Sequence, residues 1–180
     1  MKTRRLTELS LITAMALIVF VIELRFPDIL PIPGVKLGLA NIFTVYTVYR
    51  FSAKESLLMV LSRIILGAIF CTNVQAFIYS FCGAMLCLGG MLLIRKVIPK
   101  EYVWLCSIIG AVLHNTGQIA AAVCMTRSPA VLFHYPVLII SGCIAGAFTG
   151  ITAQLLLKRK LPGQTDNENR RMENESDIIT

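Results

Sequence analysis

His114-Asn115-Thr116-Gly117-Gln118 sits in the middle of an otherwise apolar run from Val103 to Met125. An α-helix turns about 100° per residue, so His114 and Gln118 fall roughly 40° apart on one face, with Asn115 about 60° to the side. These residues form one polar stripe on a helix long enough to cross a membrane. In lipid each such group is costly unless it meets another polar group or water, so the stripe is expected to face a helix bundle or a cavity.

Composition agrees with that setting. Of the 180 residues 56% are hydrophobic and only 15% charged, with a mean hydropathy of +0.74, whereas a soluble domain carries about a quarter charged residues. The chain therefore reads as an all-α, polytopic integral membrane protein. Its excess of 17 Lys and Arg over 10 Asp and Glu belongs at span ends rather than on nucleic acid. Cys71, Cys82, Cys87, Cys106, Cys124 and Cys143 make no C-x-x-C pair and lie in or beside apolar runs. They read as small buried hydrophobes, and neither a metal nor another cofactor is expected.

Six spans can be read in order. Lys2, Arg4 and Arg5 precede the run Leu6 to Leu24, which lacks a small-x-small cleavage site and so stays as span 1. Pro27, Pro31, Pro33 and Gly34 make residues 26–35 a loop. Span 2 runs from Leu37 to Phe51, and Ser52 with Glu55 forms a capping box that opens span 3 through Phe70. Spans 2 and 3 are shorter than the roughly 20 residues that cross a bilayer upright, which predicts irregular ends. Span 4 covers Val74 to Ile94 and span 5 Tyr102 to Met125. Span 6 starts at Pro136, a residue suited to a first helical turn, and ends at Leu157. Residues 1–160 thus form one transmembrane domain, and the polar residues 161–180 are expected to be a disordered cytoplasmic tail.

Charge orients the bundle. One side collects Lys2, Arg4, Arg5, Arg50, Lys54, Arg95, Lys96, Lys100, Lys158, Arg159, Lys160, Arg170 and Arg171, and the other only Arg25, Lys36 and Arg127. The positive-inside rule then predicts a multi-pass cell-membrane protein with both termini in the cytoplasm. With a rise of about 1.5 Å per residue, Glu23, Asn41, Gln118 and His114 come to lie roughly 18 to 26 Å above the cytoplasmic face of a core about 30 Å thick. Four polar side chains share the outer half of the membrane, below the Pro-rich loop 26–36 and beside Asn73 and Gln75. That arrangement suggests an outward-facing pocket with the loop as its lid.

Plainer readings stand beside it. Glu23 and Asn41 lie near span ends and are able simply to reach the interface, while His114 and Gln118 could serve as interhelical hydrogen-bonding glue, worth about 0.6 kcal/mol per bond. The cluster at one depth favours a ligand or ion site instead. Arg63, near the centre of span 3, costs about 2.5 to 3.5 kcal/mol on insertion scales and must pair, line water or snorkel. Glu23 lies about 14 Å higher by the same rise, too far for a direct bridge between upright helices. Helix-end carbonyls, an anionic substrate group or a partner protein remain, with snorkelling to the cytoplasmic face as the alternative. Gly142, Gly146 and Gly150 in span 6 offer a groove for close helix approach. Ala76, Ser80 and Ala84 do the same in span 4, and Ser10 with Ala14 in span 1.

Together the segment Pro33-Gly34-Val35-Lys36-Leu37-Gly38-Leu39-Ala40-Asn41-Ile42, Arg63-x-x-x-Gly67, His114-Asn115-x-Gly117-Gln118 and the glycine-spaced last span resemble the Gx transporter family. That family is also catalogued as heptaprenyl diphosphate synthase component I and is similar to the S components of energy-coupling factor transporters. The resemblance implies a six-transmembrane-helix bundle that captures a small molecule of unspecified identity from outside. Glu23, Asn41, Arg63, His114, Asn115 and Gln118 would line the site. Such a subunit works with a membrane coupling subunit and cytoplasmic ATPases, which would meet the small residues Ser10, Ala14 and Ala16 on the first helix.

The synthase name has a chemical requirement. Prenyl chain elongation needs clustered aspartates to hold Mg²⁺ on a diphosphate. Asp28, Asp166 and Asp177 are widely separated, and there is no G-x-x-x-x-G-K-[ST] loop for ATP. The chain is therefore expected not to be an enzyme by itself. Two functions remain open: substrate capture for an uptake transporter, and an accessory membrane role in polyprenyl diphosphate synthesis.

Overall fold

The computed structural model describes residues 3–25, 38–70 and 74–158. They form six α-helices: α1 (Thr3–Arg25), α2 (Asn41–Arg50), α3 (Ala53–Phe70), α4 (Val74–Ile94), α5 (Val103–Thr126) and α6 (Tyr135–Lys158). Two 3₁₀ turns, Lys100–Tyr102 and Pro129–His134, lead into α5 and α6. Among the described residues there is no strand. The Pro-rich loop expected to act as a lid and the polar tail at 161–180 lie outside the described residues.

Local chemistry explains most helix ends. The Ser52 Oγ accepts from the Glu55 N–H at 3.4 Å, and the Glu55 carboxylate accepts from the Ser52 N–H and Oγ, both at 2.8 Å. This reciprocal cap starts α3 where the Ser52–Glu55 spacing predicts. α5 ends on Arg127 in the left-handed region (φ 51°). Ser128 then accepts from the Ala130 N–H, and Pro136 falls in the first turn of α6.

Span 2 departs from expectation. The helix covers only Asn41–Arg50, ten residues or about 15 Å, instead of Leu37–Phe51. Gly38 is left-handed (φ 66°), a conformation that no helix interior admits, and the Asn41 N–H donates to the Gly38 carbonyl at 2.8 Å to close a turn before the helix begins. At its other end the Arg95 guanidinium, from just beyond α4, donates to the Val48 and Phe51 carbonyls and so caps α2 with a cation. Of the six helices, α1, α4, α5 and α6 carry stretches long and apolar enough to cross a membrane. α2 is too short, and the 18 residues of α3 include Lys54, Glu55 and Arg63.

Burial follows a membrane pattern. Large apolar side chains such as Leu11, Ile18, Ile69, Leu93, Ile144 and Leu155 face outward, while Gly142, Gly146, Thr149, Gly150 and Ala153 of α6 face inward. The glycines are where backbones touch. A Cβ on Gly146 would lie 2.8 Å from the Ile108 Cα, and one on Gly150 would lie 2.5 Å from the Trp104 Cα, so the glycines of α6 come directly against the α5 backbone. Ser107 and Thr149 bridge the same seam through their hydroxyls at 3.1 Å. In α4, Ala84 is buried as its spacing predicts, but the closest approach to α5 is made by Gly83 against Gly117. On α1, Ser10 and Ala14 face outward, whereas Ala16 is fully buried and belongs to the interior rather than to a docking face.

The interior has two halves. Leu9, Val48, Met59, Met91, Val103, Cys106 and Ala153 belong to an apolar core toward the start of α1 and the end of α6. Cys87 and Cys106 lie within it as small hydrophobes. The C-terminal parts of α1 and α3 and the middle of α5 meet the N-terminal parts of α2, α4 and α6 in the other half, around a cavity.

Candidate functional site

The cavity has a volume of about 330 Å³, at the lower end of the range of about 300–1,000 Å³ for small-molecule sites. Glu23 from α1, Asn41 from α2, Arg63 from α3, and His114, Asn115 and Gln118 from α5 all line it. The side chains expected from the sequence thus share one space, but they stand in different relations to it.

Glu23 is turned inward. It is only 8% exposed, and its carboxylate accepts the backbone N–H of Gly38. This charge-assisted bond ties the end of α1 to the turn before α2. It also satisfies a backbone donor that left-handed Gly38 takes out of any helical ladder.

Arg63 is likewise 8% exposed. Its guanidinium points to the cavity rather than snorkelling toward the basic end of the bundle, and it donates to the Asn41 Oδ1 at 3.4 Å. That distance is beyond the usual 2.7–3.2 Å of an N–H···O bond. Among the described residues no carboxylate lies within ion-pair distance of it; the ion pair there is Arg4 with Glu8 on the surface of α1. The carbonyls at the end of α2 are taken by Arg95. Four residues beyond Arg63, Gly67 leaves the space in which the Phe20 ring lies: a Cβ there would come within 2.8 Å of it.

The α5 stripe divides in two. Asn115 and Thr116 turn toward α6: the Asn115 amide donates to the Leu138 carbonyl, and the Thr116 hydroxyl meets the Tyr135 hydroxyl at 2.8 Å. Gly142 makes room for this, since a Cβ there would lie 2.5 Å from the Asn115 Nδ2. Asn115 is therefore an interhelical bond as well as a cavity wall. His114 and Gln118 line the cavity, and among the described residues neither side chain has a hydrogen-bond partner. They are not glue. The near contact of Gly117 with Gly83 brings this turn of α5 against α4, where a Cβ on Gly83 would lie 2.7 Å from the His114 carbonyl and 2.8 Å from the Gln118 Cγ.

Other walls were not expected from the sequence. Phe20, Ile64 and Phe77 supply apolar surface, and Tyr79, Ser80 and Ser141 supply hydroxyl-bearing residues. Ser80, whose spacing suggests packing, lines the cavity, while Gln75 is exposed and Asn73 lies outside the described residues. A lone Ser or Tyr at the start of an apolar helix is not distinguishable by sequence from an interfacial residue. The cavity combines one cation, one carboxylate already engaged with backbone, neutral hydrogen-bonding groups and an apolar floor. It can bind and orient a small molecule; among the described residues no group of three or more His, Cys, Asp or Glu is placed to hold a metal.

A family model described as heptaprenyl diphosphate synthase component I matches residues 12–156, from within α1 to near the end of α6. Neither a curated protein nor a solved structure matches the chain.

Proposed function

Because the chain belongs to the heptaprenyl diphosphate synthase component I family, we propose that it is a membrane-embedded, non-catalytic component that holds a small molecule inside its helix bundle in the service of polyprenyl diphosphate synthesis. The cavity carries the binding part of this reading: polar groups from four helices converge on one space, at a depth where each would otherwise be a cost. The family description supports the process served. The scattered aspartates Asp28, Asp166 and Asp177 support an accessory role, with the diphosphate chemistry left to a separate aspartate-rich subunit. The bundle then crosses the membrane six times, α2 being completed at its upper end by the turn at 38–40. Irregular backbone is tolerated there because Glu23 satisfies the Gly38 N–H within the protein. Co-purification of a soluble prenyl synthase subunit from the native membrane, and a rise in its turnover when this protein is added back, test the accessory role. A synthase with the same turnover and product length without it would remove that role.

A second reading, capture of a small molecule for uptake in the manner of an energy-coupling factor S component, is supported by where the cavity lies. It occupies the half of the bundle away from the start of α1 and the end of α6, and by the positive-inside rule the excess of Lys and Arg near those ends would turn that half outward. The exposed Ser10–Ala14 face of α1 would then meet a membrane coupling subunit associated with cytoplasmic ATPases. Alanine at both His114 and Gln118 should abolish uptake in correctly inserted protein. Unchanged uptake would reject this reading.

A further inference from the structure

We infer that the cavity selects a small monocarboxylate with an apolar body, its carboxylate received by Arg63. This rests on the reading that the cavity holds a small molecule, and it names the class of that molecule. Arg63 presents five N–H donors and, among the described residues, has one long contact to Asn41 and no ion-pair partner. A guanidinium that is 8% exposed and opens onto the cavity, with no carboxylate within ion-pair distance among the described residues, is short of the direct pairing that buried ions require. A carboxylate matches its fork geometry with two parallel bonds, and Asn41 beside it is able to turn its amide N–H₂ toward the same anion.

The remaining walls set the rest of the class. Glu23 lines the same cavity, and no second cation is among the described residues that line it. Either anion would meet the Glu23 carboxylate, but a diphosphate would bring two or more negative charges to one guanidinium, whereas the single charge of a monocarboxylate is matched by Arg63. Phe20, Ile64 and Phe77 give the ligand body an apolar surface, and His114 and Gln118, which have no hydrogen-bond partner among the described residues, offer it hydrogen bonds. The cavity thus selects against the polyanionic diphosphates that are substrates of chain elongation.

The test uses the full-length protein in lipid nanodiscs and a panel of straight-chain and phenyl-substituted monocarboxylates of four to ten carbons. Each acid is paired with its primary amide, and inorganic pyrophosphate is run beside them. Thermal midpoints and titration isotherms read the binding. At least one acid is expected to bind at least tenfold more tightly than its amide, because the amide keeps one acceptor oxygen but loses the charge and the second, and pyrophosphate is expected not to bind. Arg63→Gln should remove the difference between acid and amide. If that variant fails to fold, the comparison on the unaltered protein still decides. Equal binding of acid and amide overturns the carboxylate class and leaves the small-molecule cavity standing. Tighter binding of pyrophosphate overturns selection for a single charge. No binding by any acid or amide overturns both this inference and the cavity reading beneath it.

Discussion

Gly117→Ala adds one methyl group where two helix backbones meet. The new Cβ would lie 2.8 Å from the Cys82 carbonyl oxygen, 2.9 Å from the Gly83 Cα and 3.1 Å from the Cys82 carbonyl carbon. Optimal separation between carbon atoms is about 3.5–4.0 Å, so α4 and α5 must separate by roughly half an ångström to one ångström. Every atom in the way is backbone, and none can rotate aside. Overpacking of this kind costs about 1–3 kcal/mol, and alanine's higher helix propensity returns about 1 kcal/mol. Gly89→Ala, on α4, isolates the two terms. It meets nothing within 4 Å and receives only the propensity gain. The two variants should therefore differ by about 1–3 kcal/mol, with Gly117→Ala the less stable. Reversible unfolding of the purified protein in mixed micelles, titrated with a denaturing detergent, measures the difference. Because His114 and Gln118 flank Gly117, the same variant should also weaken ligand retention, which Gly89→Ala should not. Equal stability of the two variants would refute the close crossing and with it the placement of the α5 stripe.

Glu23→Ala removes the carboxylate that accepts the Gly38 N–H and should cost about 1.5–3 kcal/mol. Glu23→Gln keeps an acceptor and should recover part of that in the same unfolding assay. A double-mutant cycle on Ser107→Ala and Thr149→Val, the hydroxyl pair at 3.1 Å between α5 and α6, should give a coupling of about 0.6 kcal/mol and not above about 1.7. Arg95→Gln uncaps the Val48 and Phe51 carbonyls and should speed hydrogen exchange in α2 more than in α4, as mass spectrometry of peptic fragments would show. Uniform protection across both helices would deny Arg95 its capping role.

The α5 stripe, the capping box, the Pro136 helix start and the Gly142–Gly146–Gly150 ladder were legible because each is written within a few residues. Helical periodicity sets which side chains share a face, and Ser, Pro and Gly act on neighbouring backbone. The extent of span 2 was not legible from its apolar run, since the left-handed turn at Gly38 stops the helix three residues before Asn41. Nor could the sequence separate Asn115 from His114 and Gln118. All three lie near one face, and only the angle at which α6 packs turns Asn115 to the Leu138 carbonyl.

Sequence alone determined that the chain is helical and apolar enough for a membrane, which residues break it into helices, and which polar groups must find partners. Those are properties of composition and short-range spacing, where the solvent and the helical repeat act directly on the chain. Tertiary structure decided which partner each polar group found. It left Arg63 facing a cavity with Asn41 as its hydrogen-bond partner among the described residues, gave the α2 carbonyls to Arg95, and closed Glu23 onto Gly38. These pairings join residues 15 to 47 positions apart, and they depend on the rotation and depth of each helix in the bundle, which the periodicity of a single helix does not contain.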